Sequence, residues 1–491
     1  MVHLQHKKEV LARRCRATLG ALVVTAATAA DGPFLLLPQV VTFPTPHAPT
    51  MVATGDLDGD GDPDLVVTGR GDDGLVYLLF NESGTFSAPV PVEVGTQSDA
   101  VEIADLDADG DLDLVVVLRS LRGRLAVLEG RGDGTFREPV ELRLGREPRD
   151  LVVVDLDGDG ALDLAGLNHR EPTIDLFRNR GSMQFEPAGA VAFAGASIGI
   201  PYPQAMEHAD VDGDGDEDLV VVCTGGSRVH VARNRGDGTF DPLGGWLPVR
   251  VAGEIGGMGD LALGDLDLDG DVDALAPLIL IDSTSHVGVY ENTTGTGDDG
   301  VELARDVAAP STDSNGYAFA VDLADLDGDD DLDVIVGHAL PGPLVVLDNR
   351  TAPESDGGDG VIRFEPPQVV ALDNFFRGIA SADLDGDCDI DVLALDLVSN
   401  AIWILSNETP QAADCREGRV AAGAPDRGAT TTRRTARGAI DPSRVVDLDG
   451  DGRIDGVDLA LMLGNLGGGT SAPVGESPRG DAMPAGSGVA P

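Results

Sequence analysis

An all-β ring, a seven-bladed β-propeller of four-stranded blades followed by a small C-terminal loop-and-helix module, is the fold this sequence predicts. Three observations carry that expectation. The run Asp-x-Asp-x-Asp-x-x-x-Asp recurs seven times at intervals of 49 to 60 residues, beginning at Asp56, Asp105, Asp155, Asp210, Asp265, Asp325 and Asp383. Short stretches rich in Val, Ile and Leu flank every copy, up to four per repeat, and Gly and Asp bound them as they bound strands. Gly and Pro contribute 65 and 30 of 491 residues and aromatics only 4%, so tight turns rather than long helices join the elements. Four strands in about 50 residues is the pattern of one propeller blade.

Residues 1–30 read as a secretory signal peptide. A basic stretch (Lys7, Lys8, Arg13, Arg14, Arg16) precedes the small apolar run Ala17–Ala30, and Ala27-Thr28-Ala29 fits a cleavage pattern. No later stretch has the roughly 20 uninterrupted apolar residues of a membrane span, so the expected location is secreted, extracellular or at a cell surface. Residues 31–409 hold the ring. The seventh unit has no fourth strand after Asn407, whereas Phe34–Phe43 stands before the first unit with no blade of its own. It is similar to fourth strands such as Phe364–Leu372, so the N-terminal strand is expected to complete the last blade and remove the free edges. Residues 410–443, rich in Ala, Arg, Thr and Gly, read as a flexible linker, and 468–491 as a disordered tail.

The acidic runs read as cation loops. Carboxylates at positions 1, 3, 5 and 9 converge when a loop wraps a hard cation, and Gly at 6 permits the sharp turn. The candidate ligands are Asp56, Asp58, Asp60 and Asp64 in the first loop, then Asp105, Asp107, Asp109 and Asp113. The third and fourth loops offer Asp155, Asp157, Asp159 and Asp163, and Asp210, Asp212, Asp214 and Asp218. The fifth has Asp265, Asp267, Asp269 and Asp273, and the sixth Asp325, Asp327, Asp329 and Asp333. Asp383, Asp385, Asp387 and Asp391 complete the ring. Position 6 departs from Gly at Asp330 and Cys388, where a strained turn is expected. An oxygen-rich, flexible loop suits calcium better than magnesium, giving about seven calcium ions in the ring.

An eighth loop, Asp447, Asp449, Asp451, Asp455 and Asp458, runs the twelve positions of an EF-hand, and the apolar stretch after it looks helical as far as Gly467. Residues 444–467 therefore form a calcium-loop and helix module for one further ion. The eight loops hold 40 of the 85 acidic residues, so the net charge of −51 follows chiefly from cation sites. The same charge excludes a nucleic-acid partner, whose phosphates would be repelled.

The motif Asp-apolar-Asp-x-Asp-Gly-x-x-Asp before a β-branched strand resembles the FG-GAP and VCBS repeat families, which include integrin α-subunit headpieces and certain fungal lectins. The resemblance covers about residues 34–409. It implies a seven-bladed propeller with calcium in the loops between first and second strands, and it does not fix a function. The eighth loop resembles one half of a dockerin, which implies a possible docking partner; a dockerin carries two halves and this chain shows one.

Other features have plainer readings. A Cys388–Cys415 disulfide is expected to tie the linker to the ring, the alternative being free thiols, and Cys223 falls at a strand end. Arg-Gly-Asp at Arg70, Arg131, Arg235 and Arg479 suggests adhesion, but at Arg131 and Arg235 it lies in repeat turns where Gly-Asp-Gly serves geometry. Asn-x-Ser/Thr at Asn81, Asn292, Asn349 and Asn407 likewise falls at strand-to-turn junctions.

In an antiparallel blade, the first and third connections share one face and the others the opposite face. The face away from the acidic loops collects Arg70, Arg119, Arg122, Arg124, Arg146, Arg149, His169, Arg170, Arg228 and Arg377, with Tyr202, Tyr317, Phe375 and Phe376. Arg and aromatics suit recognition of a glycan or a surface protein, although solvated loop arginines explain the same residues. The expected function is a secreted calcium-binding module for such partners. The alternative is a polysaccharide-active lyase or hydrolase on a calcium propeller, but the scattered histidines form no catalytic constellation and no catalytic residue is assigned.

Overall fold

The computed structural model describes residues 34–409, apart from 45–47, 72–73, 96, 194–201, 225–227, 242–253, 257–258, 281–284, 293–302, 309–316, 340–341 and 352–360, with the backbone of 434–435. The expected signal peptide, C-terminal module and tail lie outside the described residues.

Seven antiparallel sheets follow one another along the chain. The first blade is built from Pro49–Gly55, Asp64–Gly69, Leu75–Leu79 and Val90–Glu93. The second uses Ser98–Ala104, Asp113–Leu118, Arg124–Leu128 and Val140–Arg143. The third uses Pro148–Val154, Asp163–Asn168, Thr173–Asn179 and Phe185–Ala192. The fourth has Pro203–Ala209, Asp218–Cys223 and Arg228–Ala232 among the described residues. In the fifth, the innermost strand is split into Glu254–Gly256 and Ala262–Gly264; both pair with Asp273–Leu280, which leads on to Ser285–Asn292 and Leu303–Ala308. The sixth has Tyr317–Ala324, Asp333–Ala339, Gly342–Leu347 and Gln368–Asn374.

The seventh blade takes Phe376–Ala382, Asp391–Asp396 and Ala401–Asn407 from the end of the ring and Leu36–Thr42 from its beginning. The N-terminal strand pairs antiparallel from Leu36↔Asn407 to Thr42↔Ala401, as expected. Innermost strands contact their neighbours all the way round, including the seventh against the first. The structure is a seven-bladed propeller.

The core lies between blades. Second strands such as Asp64–Gly69 and Asp113–Leu118 are buried at every position, because adjacent blades cover both faces, and this is why they read as unbroken apolar runs. Outermost strands such as Val140–Arg143 meet water and are largely exposed. Val52, Leu65, Leu393 and Ile404 pack the seventh blade onto the first, across the seam.

All seven innermost strands open with a register shift, for example between Pro148 and Asp150 and between Phe376 and Gly378, and in six of them it falls at the same distance from the acidic loop, the fifth shifting earlier, between Glu254 and Gly256. The shift sets Thr50, Asp99, Arg149, Gln204, Phe319 and Arg377 at matched places, six residues before the first Asp of each loop. A bulge re-aims the side chain it carries. This corrects the expected ligand face: Phe375, Phe376, Arg149 and Arg377 are buried, and Phe376 packs in the core with Ile379 and Leu405.

The linker also differs at two residues. Arg434–Thr435 pairs with Met51 and Val52, on the otherwise free edge of the first blade's innermost strand. Cys388 is disulfide-bonded, its expected partner Cys415 lying outside the described residues, and Cys223 is a buried thiol outside any disulfide. Among the described residues, no helix is long and apolar enough to cross a membrane.

Candidate metal centres

Each acidic run forms the loop between the first and second strands of its blade, and one set of hydrogen bonds recurs. The first Asp caps the turn: Asp56 Oδ1 accepts the backbone N–H groups of Gly59 and Asp60 at 2.8 and 3.2 Å, and Oδ2 that of Gly61 at 3.0 Å. The fifth position holds the next turn, as Asp60 Oδ1 does by accepting from Asp62 N at 3.0 Å. The ninth ties loop to sheet. Asp64 Oδ2 accepts from Leu57 N and Oδ1 from Asn81 N, at 3.0 and 2.8 Å. The same pair of bonds is present at Asp113, Asp163, Asp218, Asp273, Asp333 and Asp391. The sixth residue is left-handed throughout: Gly61 has φ 98°, and Asp330 and Cys388 adopt 72° and 76°, the strain expected where glycine is replaced.

Position 3 is different. In the first, second, third, fourth and sixth loops one carboxylate oxygen, Oδ1 of Asp58, Asp107, Asp157, Asp212 and Asp327, is buried and accepts no hydrogen bond. Side-chain oxygens of Asp56, Asp58 and Asp64 lie within 4.8 Å of one another, as do those of Asp105, Asp107 and Asp113, of Asp155, Asp157 and Asp163, and of Asp210, Asp212 and Asp218. Positions 1, 3 and 9 are thus brought together. In the second loop Asp107 and Asp109 also converge with Glu129. Burial pushes the ninth carboxyl up, against its backbone hydrogen bonds: to about 6 at Asp64, Asp113 and Asp163, about 7 at Asp218, Asp273 and Asp391, and about 8 at Asp333. Unbonded oxygens among crowded carboxyls fit a hard divalent cation, which takes oxygen donors and relieves the repulsion. Asp447, Asp449, Asp451, Asp455 and Asp458 lie outside the described residues.

Neighbouring side chains the loop pattern did not disclose divide the sites. Arg178 pairs with Asp157 at 2.8 Å, Arg233 with Asp212 at 3.6 Å, and Arg350 with Asp327 at 2.8 Å, with Asp348 at 2.7 Å and with Asp329. Arg178, Arg233, Glu129 and Glu291, the last beside Asp267, directly precede Asn179, Asn234, Gly130 and Asn292, the residues at or just beyond the end of each third strand, and that position was the signal available in the sequence.

The residue at or just beyond the end of the third strand also joins the blades. Asn81 Nδ2 donates to Leu384 O, across the seam, at 2.6 Å. Asn179, Asn234, Asn292, Asn349 and Asn407 donate in the same way to Leu106, Leu156, Val211, Leu266 and Leu326, each in the preceding blade's acidic loop. These asparagines serve the ring, which goes beyond the turn explanation of the Asn-x-Ser/Thr sites. The second blade has Gly130 there, and Gly134 N reaches Leu57 O instead at 2.9 Å. The Gly-Asp-Gly turns after Arg131 and Arg235 are geometric as expected, with Asp133 and Asp237 accepting from the backbone of Thr135 and Thr239.

A propeller with an acidic turn between the first two strands of every blade is the class that fold and site define. The FG-GAP-like repeat profile matches residues 56–116, 105–166, 155–221 and 210–276, each beginning at the first Asp of a loop. The chain carries FG-GAP-like repeats. No curated protein matches the sequence. Among solved structures, BBS1N, crystallised in complex with ARL6DN and soaked with lead, is similar over 78% of this chain and 99% of its own, with 13% identity and a TM-score of 0.50. An Agrocybe aegerita lectin that recognises non-reducing terminal N-acetylglucosamine shares 19% identity over 72% of this chain and 88% of its own, with a TM-score of 0.38. A putative 6-phosphogluconolactonase from Bacteroides uniformis shares 13% identity over 74% and 95%, with a TM-score of 0.45. At these identities the likeness concerns the fold alone.

Proposed function

We propose that this protein is a secreted binding module, a propeller stiffened by calcium, that holds glycans or proteins of a surface. The observation that carries the cation is the buried, unbonded Oδ1 at position 3 of five loops. Positions 1, 3 and 9 supply the carboxylates, with position 5 beside them. Calcium there neutralises buried charge and fixes the turns, a structural rather than a catalytic part. A binding role is favoured over a catalytic one because His169 and His338 are buried, each with Nδ1 against a backbone carbonyl, Pro203 O at 2.9 Å and Pro343 O at 2.7 Å, and burial pushes their pKa values down to about 2 and about 4, far from those of an acid or base working near neutral pH.

Equilibrium dialysis with radioactive calcium on chelator-stripped protein tests the metal, and a glycan array with product analysis tests the role. Saturable calcium uptake with bound, intact glycan is expected. Absence of calcium uptake removes the first half of the reading, and cleavage of a bound polysaccharide replaces the second with the lyase or hydrolase alternative.

A further inference from the structure

The end of the ring opposite the acidic loops carries a cluster that neither cation binding nor blade packing uses. Asp99, wholly buried, accepts from Arg70 Nε at 3.0 Å and Nη2 at 2.9 Å. Its Oδ2 also lies 4.0 Å from Arg119 Nε and 3.8 Å from Arg149 Nη1. Glu147 is in turn shared by Arg119 at 3.7 Å and Arg170 at 3.2 Å. Arg377, on the seventh blade's bulge, is 0% exposed and also acts on Asp99.

Arg149 is the telling member. It is 3% exposed, yet its Nε and Nη1 make no hydrogen bond, and Nη1 of Arg70 is likewise without one. The adjacent carboxylate, Asp150, accepts from the backbone N–H groups of Leu151 and Met206, and no hydrogen bond joins it to Nε or Nη1 of Arg149. His169 adds no negative charge: its Nδ1 lies 2.9 Å from Pro203 O, and burial, with the charge of Arg149, pushes its pKa down to about 2. A buried guanidinium with idle donors beside the like charges of Arg119, Arg70 and Arg377 is strongly unfavourable unless an anion joins it.

We propose that this cluster is an oxyanion site, in which a carboxylate, sulfate or phosphate group seats at the axial mouth against Arg149, flanked by Arg70 and Arg119. Planar guanidinium forks match the paired oxygens of such groups. Arg119, with its side chain 23% exposed, stands at the rim, and Arg149 lies beneath it. The bulge that opens the third blade is the device that turns Arg149 inward. The assignment stands independently of any glycan reading, since it concerns charge rather than the sugar.

The test is a melting and calorimetric titration of the full calcium-loaded chain with sodium sulfate, sodium phosphate, galacturonate and neutral galactose, at ionic strength matched by chloride. Sulfate stabilises folded proteins in general through exclusion from their surface, so saturation at low millimolar concentration is the required signature. A saturable rise of roughly 2–5 °C for at least one anion is expected, with no response to galactose. Sulfate or phosphate acting alone identifies a free tetrahedral oxyanion, and galacturonate acting alone a carboxylate-bearing ligand. Arg149→Met should weaken the binding at least tenfold, whereas Arg143→Met, on the exposed outermost strand of the second blade, should leave it unchanged. Should Arg149→Met fail to fold, Arg119→Met at the rim takes its place. The proposal is overturned if no anion gives saturable stabilisation, if galactose acts equally, or if the folded Arg149 or Arg119 variant binds as wild type does.

Discussion

The second and sixth acidic loops share one backbone and keep opposite company. In the second, Glu129 converges with Asp107 and Asp109, so a further carboxylate joins the cluster. In the sixth, Arg350 pairs with Asp327, Asp329 and Asp348, and against the downward pull of burial Asp327 and Asp348 raise its pKa. The caps by Asp105 and Asp325, and the ties from Asp113 and Asp333, are otherwise the same. Loop geometry is therefore set by carboxylates bonding the backbone, while the demand for a cation should be set by side chains arriving from the end of the third strand. An arginine neutralises in place what calcium would neutralise from solution, and affinity should grade round the ring.

The largest effect expected is from removing metal altogether. A site held at a hundred times its Kd contributes about 2.7 kcal/mol, so several together should lower Tm by more than about 10 °C on chelation, as calorimetry would read. An unchanged Tm would end the comparison, since neither loop would then hold an ion that matters. Next come Asp113→Ala and Asp333→Ala, each leaving two backbone N–H groups without their acceptor, Leu106 and Gly130 or Leu326 and Asn349. Urea unfolding in calcium should show a loss of about 2–4 kcal/mol for either, and more for Asp113→Ala because more cation binding goes with it. Equal losses would say that the two loops use calcium alike.

Exchanging the company should move affinity in opposite directions. Glu129→Gln should weaken the second loop for calcium about tenfold and Arg350→Gln strengthen the sixth severalfold, read by terbium luminescence at each site. Smaller effects belong to the blade joints. Asn407→Ala should cost about 1–2 kcal/mol by freeing the carbonyl of Leu326. Gly130→Asn should destabilise rather than supply a missing joint, because a Cβ there would stand 2.1 Å from Leu112 O. The smallest effect is in the sixth blade, where burial pushes His338 down to about 4. The folded protein keeps it neutral while the unfolded chain takes up a proton below about pH 6.5. Stability is therefore lost as pH falls from 6.5 towards 4, and at pH 5.5 His338→Gln should recover about 1 kcal/mol of that loss in denaturant titrations.

The contrast between the loops also marks what the sequence disclosed. Asp56 to Asp64 lie within one turn, so their convergence is local and the spacing suffices to read it. Ring closure was legible for a similar reason: a unit lacking one strand and a strand lacking a unit imply each other. Arg350 and Glu129 were not legible as neighbours of the loops, because each reaches its aspartates from about 20 residues further along, through a strand pairing. Arg149 and Phe376 were misplaced for another reason. The bulge at the head of each innermost strand shifts which face a side chain meets, and an offset of one residue exchanges solvent for core.

The strand that completes the seventh blade has a consequence in time. Residues 36–42 leave the ribosome before every other strand of the ring, yet their partners at 401–407 form the ring's last strand to emerge. During synthesis the earlier blades can stack as they emerge, but the circle stays open and an apolar ribbon waits unpaired. That ribbon can meet the seventh blade of another nascent chain as readily as its own, so crowded expression should favour strand-exchanged dimers over monomers.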